Sequence, residues 1–206
     1  MNENNILCSS KNIKFSYGKN EILKNCSVEI QKGELIGLIG ENGSGKSTLL
    51  KCILNLEKIR EGNVFINGKI GYCPQENYLY QRYTLLEHVN LISSIIFKKD
   101  VNNDFINELL EKFKLSKYKN TLIEHLSSGT YQKLKFITSL ISKPDIIILD
   151  EPYDGFDWEM YQMFWMVIEK LKLESVGILL VSHFIHDFEK FDRIYQLKEG
   201  ITYNEK

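Results

Sequence analysis

The stretch Gly40-Glu41-Asn42-Gly43-Ser44-Gly45-Lys46-Ser47 fixes more of this chain's architecture than any other. Ahead of it, Leu35-Ile36-Gly37-Leu38-Ile39 is a short apolar run suited to a buried strand, and after it Leu49, Leu50, Ile53 and Leu54 recur as one face of a helix. Strand, glycine-rich loop and helix in that order is the setting in which G-x-x-x-x-G-K-[ST] holds phosphate. Glycines at 40, 43 and 45 let the backbone take positive φ and approach a ligand closely, so that successive N–H groups and the helix N-terminus face phosphate oxygens. Lys46 supplies a point charge for the outer phosphates, and Ser47 a hydroxyl for the Mg²⁺ that travels with them. A triphosphate site follows.

A second apolar run, Ile146-Ile147-Ile148-Leu149, ends on Asp150-Glu151 and reads as a strand buried on both faces. Ligands of open α/β sheets gather at such strand ends. Adjacent carboxylates on an extended segment point in different directions and can take two tasks, Asp150 toward Mg²⁺ and Glu151 toward an attacking water.

Around these anchors the pattern changes along the chain. Residues 5 to 31 alternate and predict an antiparallel sheet with a turn at Gly18-Lys19-Asn20, and Val64-Phe65-Ile66 with Ile70-Gly71-Tyr72 predicts a hairpin about Asn67-Gly68. From about 84 to 142 the period becomes helical: a capping box, Thr84 to Glu87, opens a helix through Phe97, Phe105 to Phe113 gives a second, and Tyr131 to Ile141 a third. A helix from Trp158 to about Lys172, a strand from Gly177 to Val181, a short helix near His186 to Phe191 and a hairpin about Glu199-Gly200 complete the expected series.

With 26 basic and 27 acidic side chains among 206 residues, the charge gives no reason to expect nucleic acid as a direct partner. Cys8, Cys26, Cys52 and Cys73 are scattered without metal-ligand or C-x-x-C spacing, which predicts reduced core cysteines. No apolar run reaches the ~18 residues a membrane span requires. A soluble, cytoplasmic chain is expected, with any membrane span supplied by another protein.

The order of these elements resembles the nucleotide-binding subunit of ATP-binding cassette (ABC) transporters over essentially the whole chain. Besides Gly40 to Ser47 and Ile146 to Glu151, Leu126-Ser127-Ser128-Gly129-Thr130 stands where that family has its signature, Tyr72-Cys73-Pro74-Gln75 where it has the Q-loop, and Val181-Ser182-His183 where it has the switch histidine. Tyr17 matches the aromatic that stacks on adenine, and Asp157 the D-loop aspartate.

The resemblance implies a P-loop NTPase of α/β class with a mixed core sheet, an N-terminal antiparallel β-subdomain and a helical subdomain over approximately 76–142, all within one ATPase domain of residues 1–206. It implies ATP and Mg²⁺ as cofactors. ATP would be gripped by Tyr17, Gly40, Glu41, Asn42, Gly43, Ser44, Gly45, Lys46, Ser47 and Thr48 of one subunit and by Ser127, Ser128 and Gly129 of another. Ser47, Gln75 and Asp150 would face the metal; Glu151 would polarise the lytic water, with His183, Lys46 and Gln75 completing the catalytic set. The partners implied are a second nucleotide-binding subunit, identical or related, and a separate transmembrane permease at the inner face of the membrane. Export is the direction favoured; a soluble assembly ATPase is the alternative. Two departures stand out: Ser128 replaces the usual glycine and Thr130 the usual glutamine. A positive φ at Ser128 would strain the signature.

Overall fold

The computed structural model describes residues 5–97, 103–153, 155–183 and 187–206. Strands β1 (Ile6–Tyr17) and β2 (Asn20–Gln31) form an antiparallel pair across Gly18 and Lys19. After β3 (Leu35–Ile39) come the cradle loop and helix α1 (Lys46–Ile53), then β4 (Glu61–Ile66) and β5 (Ile70–Cys73). The helical stretch holds α2 (Leu85–Phe97), α3 (Asn103–Lys112) and α4 (Ser128–Leu140). The chain then runs through β6 (Ile146–Asp150), α5 (Trp158–Leu173), β7 (Gly177–Ser182), β8 (Arg193–Lys198) and β9 (Ile201–Asn204).

Among the described residues, nine strands form one sheet in the order β4-β1-β2-β9-β8-β3-β7-β6-β5. From β8 through β5 neighbouring strands are parallel, and the central three, β3, β7 and β6, have the near-continuous apolar sequences of strands covered on both faces. The side-chain period of two divides them between two cores. Leu35, Ile147, Leu149, Ile178 and Leu180 face α2 to α5, whereas Ile36, Leu38, Ile146, Ile148, Leu179 and Val181 face α1 and the β1–β2 layer. That layer lies close over the parallel strands: a Cβ at Gly177 of β7 would come 2.8 Å from the Gln31 carbonyl oxygen of β2.

The expected hairpin at 64–72 does not form. β4 pairs antiparallel with β1 and β5 pairs parallel with β6, at opposite ends of the strand order. Asn67, Gly68 and Lys69 are a crossing between layers: the Asn67 N–H donates to the Leu7 carbonyl of β1, while the Lys69 N–H donates to the Asp145 carboxylate just before β6. The Asn-Gly pair specified a bend, but unpaired edges on two different strands claimed the segments it joins.

The capping box at α2 is present: Thr84 N–H donates to Glu87 Oε2 at 2.8 Å and Glu87 N–H to Thr84 Oγ at 3.3 Å. Helix α4 starts three residues earlier than the apolar period indicates because Ser127 caps it. The short helix expected near His186 to Phe191 is a single 3₁₀ turn, Phe188–Lys190, and the His186 end of that expectation lies outside the described residues. The four cysteines are buried and free. No helix among the described residues is long and apolar enough to cross a membrane.

Candidate functional site

Where β3 leaves the sheet, the chain turns through the glycine loop into α1. Gly45, the residue before the helix, has φ 104°, and a Cβ there would press on Ile22 and Leu23 at 3.1 Å, so both conformation and space select glycine. Lys46 is 8% exposed, and its ammonium bends back to donate to the carbonyls of Gly40 at 2.6 Å and Glu41 at 3.1 Å. Burial lowers its pKa, while Glu151 and Asp150 oppose the shift. A cavity of about 400 Å³ opens over this loop, bounded by Asn42, Gly43, Gly45, Lys46, Ser47, Thr48, Gln75, Asp150 and Glu151 together with Ile22. Gly40, Glu41 and Ser44 border a neighbouring hollow against Gln196 to Glu199.

Residues 103 positions apart in sequence meet at the floor of this cavity. The Ser47 hydroxyl lies 3.4 Å from Asp150 Oδ2, a pair of hard oxygens at the end of the buried β6 strand. Burial, and secondarily the charge of Glu151, raises the Asp150 pKa to about 6. This donor set fits a hard cation accompanying a phosphate, and the cavity above it admits the phosphate.

Glu151 departs from the extended conformation expected of it. Its φ is 50°, so the two carboxylates diverge through a left-handed turn and not through strand alternation. That turn carries the Glu151 side chain toward β7, where Oε1 accepts the His183 N–H at 2.9 Å and both oxygens lie 3.1 Å from His183 Nδ1. The carboxylate is 5% exposed and the histidine ring largely exposed; Glu151 borders the cradle cavity, whereas His183 borders a separate hollow with Asp157 and Tyr161.

Ser127, Ser128 and Gly129 lie elsewhere. Ser127 Oγ accepts the Thr130 N–H at 3.3 Å and lies 2.8 Å from Thr130 Oγ1, so the threonine at the unusual fifth position joins the helix cap. Ser128 is the first residue of α4 and is not among the residues with positive φ, so a serine side chain there causes no backbone strain. Ser127, Gly129, Lys133 and Asp157 border a second cavity of about 430 Å³ that shares no lining residue with the cradle cavity. Asp157 caps α5, its Oδ1 accepting the Met160 N–H at 2.7 Å. Tyr17 lines neither cavity; it is 48% exposed at the end of β1, edge-on to Phe15, and its hydroxyl donates to Glu57 at 3.1 Å.

Two buried side chains of α4 were not singled out by the sequence. Gln132 Nε2 donates to the carbonyls of Glu151 at 3.3 Å and Pro152 at 3.0 Å, and Lys135 Nζ donates to the Gln75 carbonyl at 2.8 Å. Both types ordinarily face solvent on a helix, so only their burial distinguishes them.

Comparison with known proteins places this fold among relatives. The family model described as ABC transporter matches residues 23–154. An uncharacterized ABC transporter ATP-binding protein of Methanocaldococcus jannaschii is 36% identical over 192 residues, covering 92% of this chain and 73% of that protein. ATP-binding cassette sub-family A member 10 of Homo sapiens is 34% identical over 205 residues, covering 90% of this chain but 13% of the human protein. Among solved structures, a dimeric post-hydrolysis state of an ATP-binding cassette bound to ADP and Pi matches with a TM-score of 0.85 at 28% identity, covering 97% of this chain and 98% of that one.

Proposed function

Because the chain belongs to the ABC transporter family as an ATP-binding subunit, we propose that it hydrolyses ATP as a dimer and drives a substrate, in the export direction, through a separate membrane permease. The observation that carries this reading is the separation of the two cavities. Lys46, Ser47, Asp150 and Glu151 border one, Ser127 and Gly129 border the other, and they share no residue. One copy thus presents two half-sites, and a two-fold pairing brings the cradle of each copy against the signature of its partner.

Within each completed site, the cradle N–H groups and Lys46 bind the phosphates, the ammonium exchanging its contacts with Gly40 and Glu41 for phosphate oxygens. Ser47, Asp150 and Gln75 would hold Mg²⁺, which when bound neutralises charge on the phosphate oxygens. Glu151 accepts the proton of the attacking water, and His183, in contact with its carboxylate, keeps that carboxylate aimed along the line of attack. Tyr17, exposed beside α1, offers its ring face to the adenine. Asp157 remains a helix cap at the edge of the signature cavity.

Residues 76–142 are proposed to act as a helical block. The exposed Tyr80 and Tyr83 beside Arg82 offer the permease an aromatic and cationic contact. Through the permease the subunit would sit at the cytoplasmic face of the membrane, with no direct role for nucleic acid.

Glu151→Gln tests the assignment. The variant should bind ATP, turn over ~10² to 10⁴-fold more slowly and accumulate as a nucleotide-bound dimer in size-exclusion chromatography. Brisk turnover would remove Glu151 from the reaction.

A further inference from the structure

Helix α4 reaches both loops that border the cradle cavity. Tyr131 and Lys135, four residues apart and so on one face, turn to the segment after β5: Tyr131 Oη accepts the Leu79 N–H at 3.1 Å, and Lys135 Nζ donates to the Gln75 carbonyl at 2.8 Å. Tyr78 returns a bond, its hydroxyl donating to the Lys135 carbonyl at 3.5 Å. Between them Gln132 grips the carbonyls of Glu151 and Pro152. The N-terminus of the same helix carries Ser127 to Gly129 at the other cavity.

Lys135 is 1% exposed. A lysine ammonium in such a place is expensive to desolvate, and a packed apolar side chain of similar length would serve α4 at least as well if filling space were the whole of its task. One of its contacts is with a particular oxygen, the backbone carbonyl of Gln75, a residue that borders the cradle cavity, and its charge also acts on the neighbouring Asp150.

We propose that Lys135 is a positioning residue: it pins the Gln75 carbonyl to α4, so that the Gln75 side chain and the signature end of the helix move as one piece. The inference rests on the ATPase reading and extends it to the link between a subunit's own site and the half-site it lends to its partner. Without the pin, nucleotide still enters the cradle, because Gly40 to Ser47 are untouched, but Gln75 is no longer held in reacting position.

The test uses the full chain with Lys135→Met, Gln75→Ala and the double variant. Lys135→Met should lower kcat by about 10- to 100-fold, the loss of one charge-assisted hydrogen bond, with KM for ATP within about threefold of the parent. The double variant should be no slower than Gln75→Ala, because a residue that acts through Gln75 has nothing to add once that side chain is gone. In the nucleotide-free protein, hydrogen exchange should quicken over residues 75–80 in Lys135→Met and stay unchanged over 40–54. Additive losses in the double variant, a raised KM with kcat intact, or unaltered exchange over 75–80 would each overturn the proposal. So would a lowered melting temperature accompanied by equal damage to kcat and KM, the mark of a merely structural lysine. A parent protein with no ATPase activity would overturn the functional reading and this inference with it; an active parent with additive losses would overturn the inference alone.

Discussion

His88 lies fully buried in α2 beside the Tyr80 ring, with neither ring nitrogen hydrogen-bonded, and burial lowers its pKa to about 4. The unfolded chain takes up this proton near pH 6.5 and the folded chain only near pH 4, so its contribution to stability is intact above pH 6.5 and is lost as the pH falls through that window. Urea unfolding should show the parent losing about 2 kcal/mol between pH 7 and pH 5 on this account, and His88→Leu should flatten that dependence. His88, like Gln132 and Lys135, could not be read from sequence, because a polar residue on a helix announces neither its burial nor its partner. Lys46, Ser47, Asp150 and Glu151 could, because phosphate chemistry imposes fixed residue types at fixed spacing next to a strand end. What could not be foreseen was the route: Glu151 reaches His183 by a left-handed turn that no local signal encodes.

Among the elements, β5 and α4 approach closely at one glycine. A Cβ on Gly71 would stand 2.1 Å from the Ser139 carbonyl oxygen, so Gly71→Ala must push the strand and helix apart. The variant should be destabilised by about 3 kcal/mol or more in urea unfolding, well beyond an ordinary alanine replacement at a strand glycine. Thr84→Ala, which removes the α2 cap, should lose about 1 kcal/mol and leave KM for ATP unchanged. The apolar runs of β3, β6 and β7 were plain in the sequence, since strands covered on both faces need unbroken apolar stretches. Pairing was not. A turn signal such as Asn67-Gly68 reports where the chain bends, whereas the partner of each arm depends on which edges the finished sheet leaves open.

For the molecule as a whole, the proposed pairing makes activity a property of two copies. Specific ATPase activity should fall on dilution. Lys46→Ala and Gly129→Glu, each inactive alone, should recover up to about a quarter of the parent rate when mixed, since half of the random pairs contain one site with an intact cradle facing an intact signature. No recovery would mean that the two halves belong to one polypeptide. The division into half-sites is implied by motif order and by the resemblance, whereas the separate lining of the two cavities is visible only in three dimensions. Asn67, Gly68 and Lys69 bear on what such a pair can do on closing. They join the outermost strand of the antiparallel layer to the far border of the parallel one through a short, hydrogen-bonded crossing. On the proposed dimer reading, that crossing predicts a nucleotide floor that stays in place on closure, with the displacement carried by the helices on the opposite side.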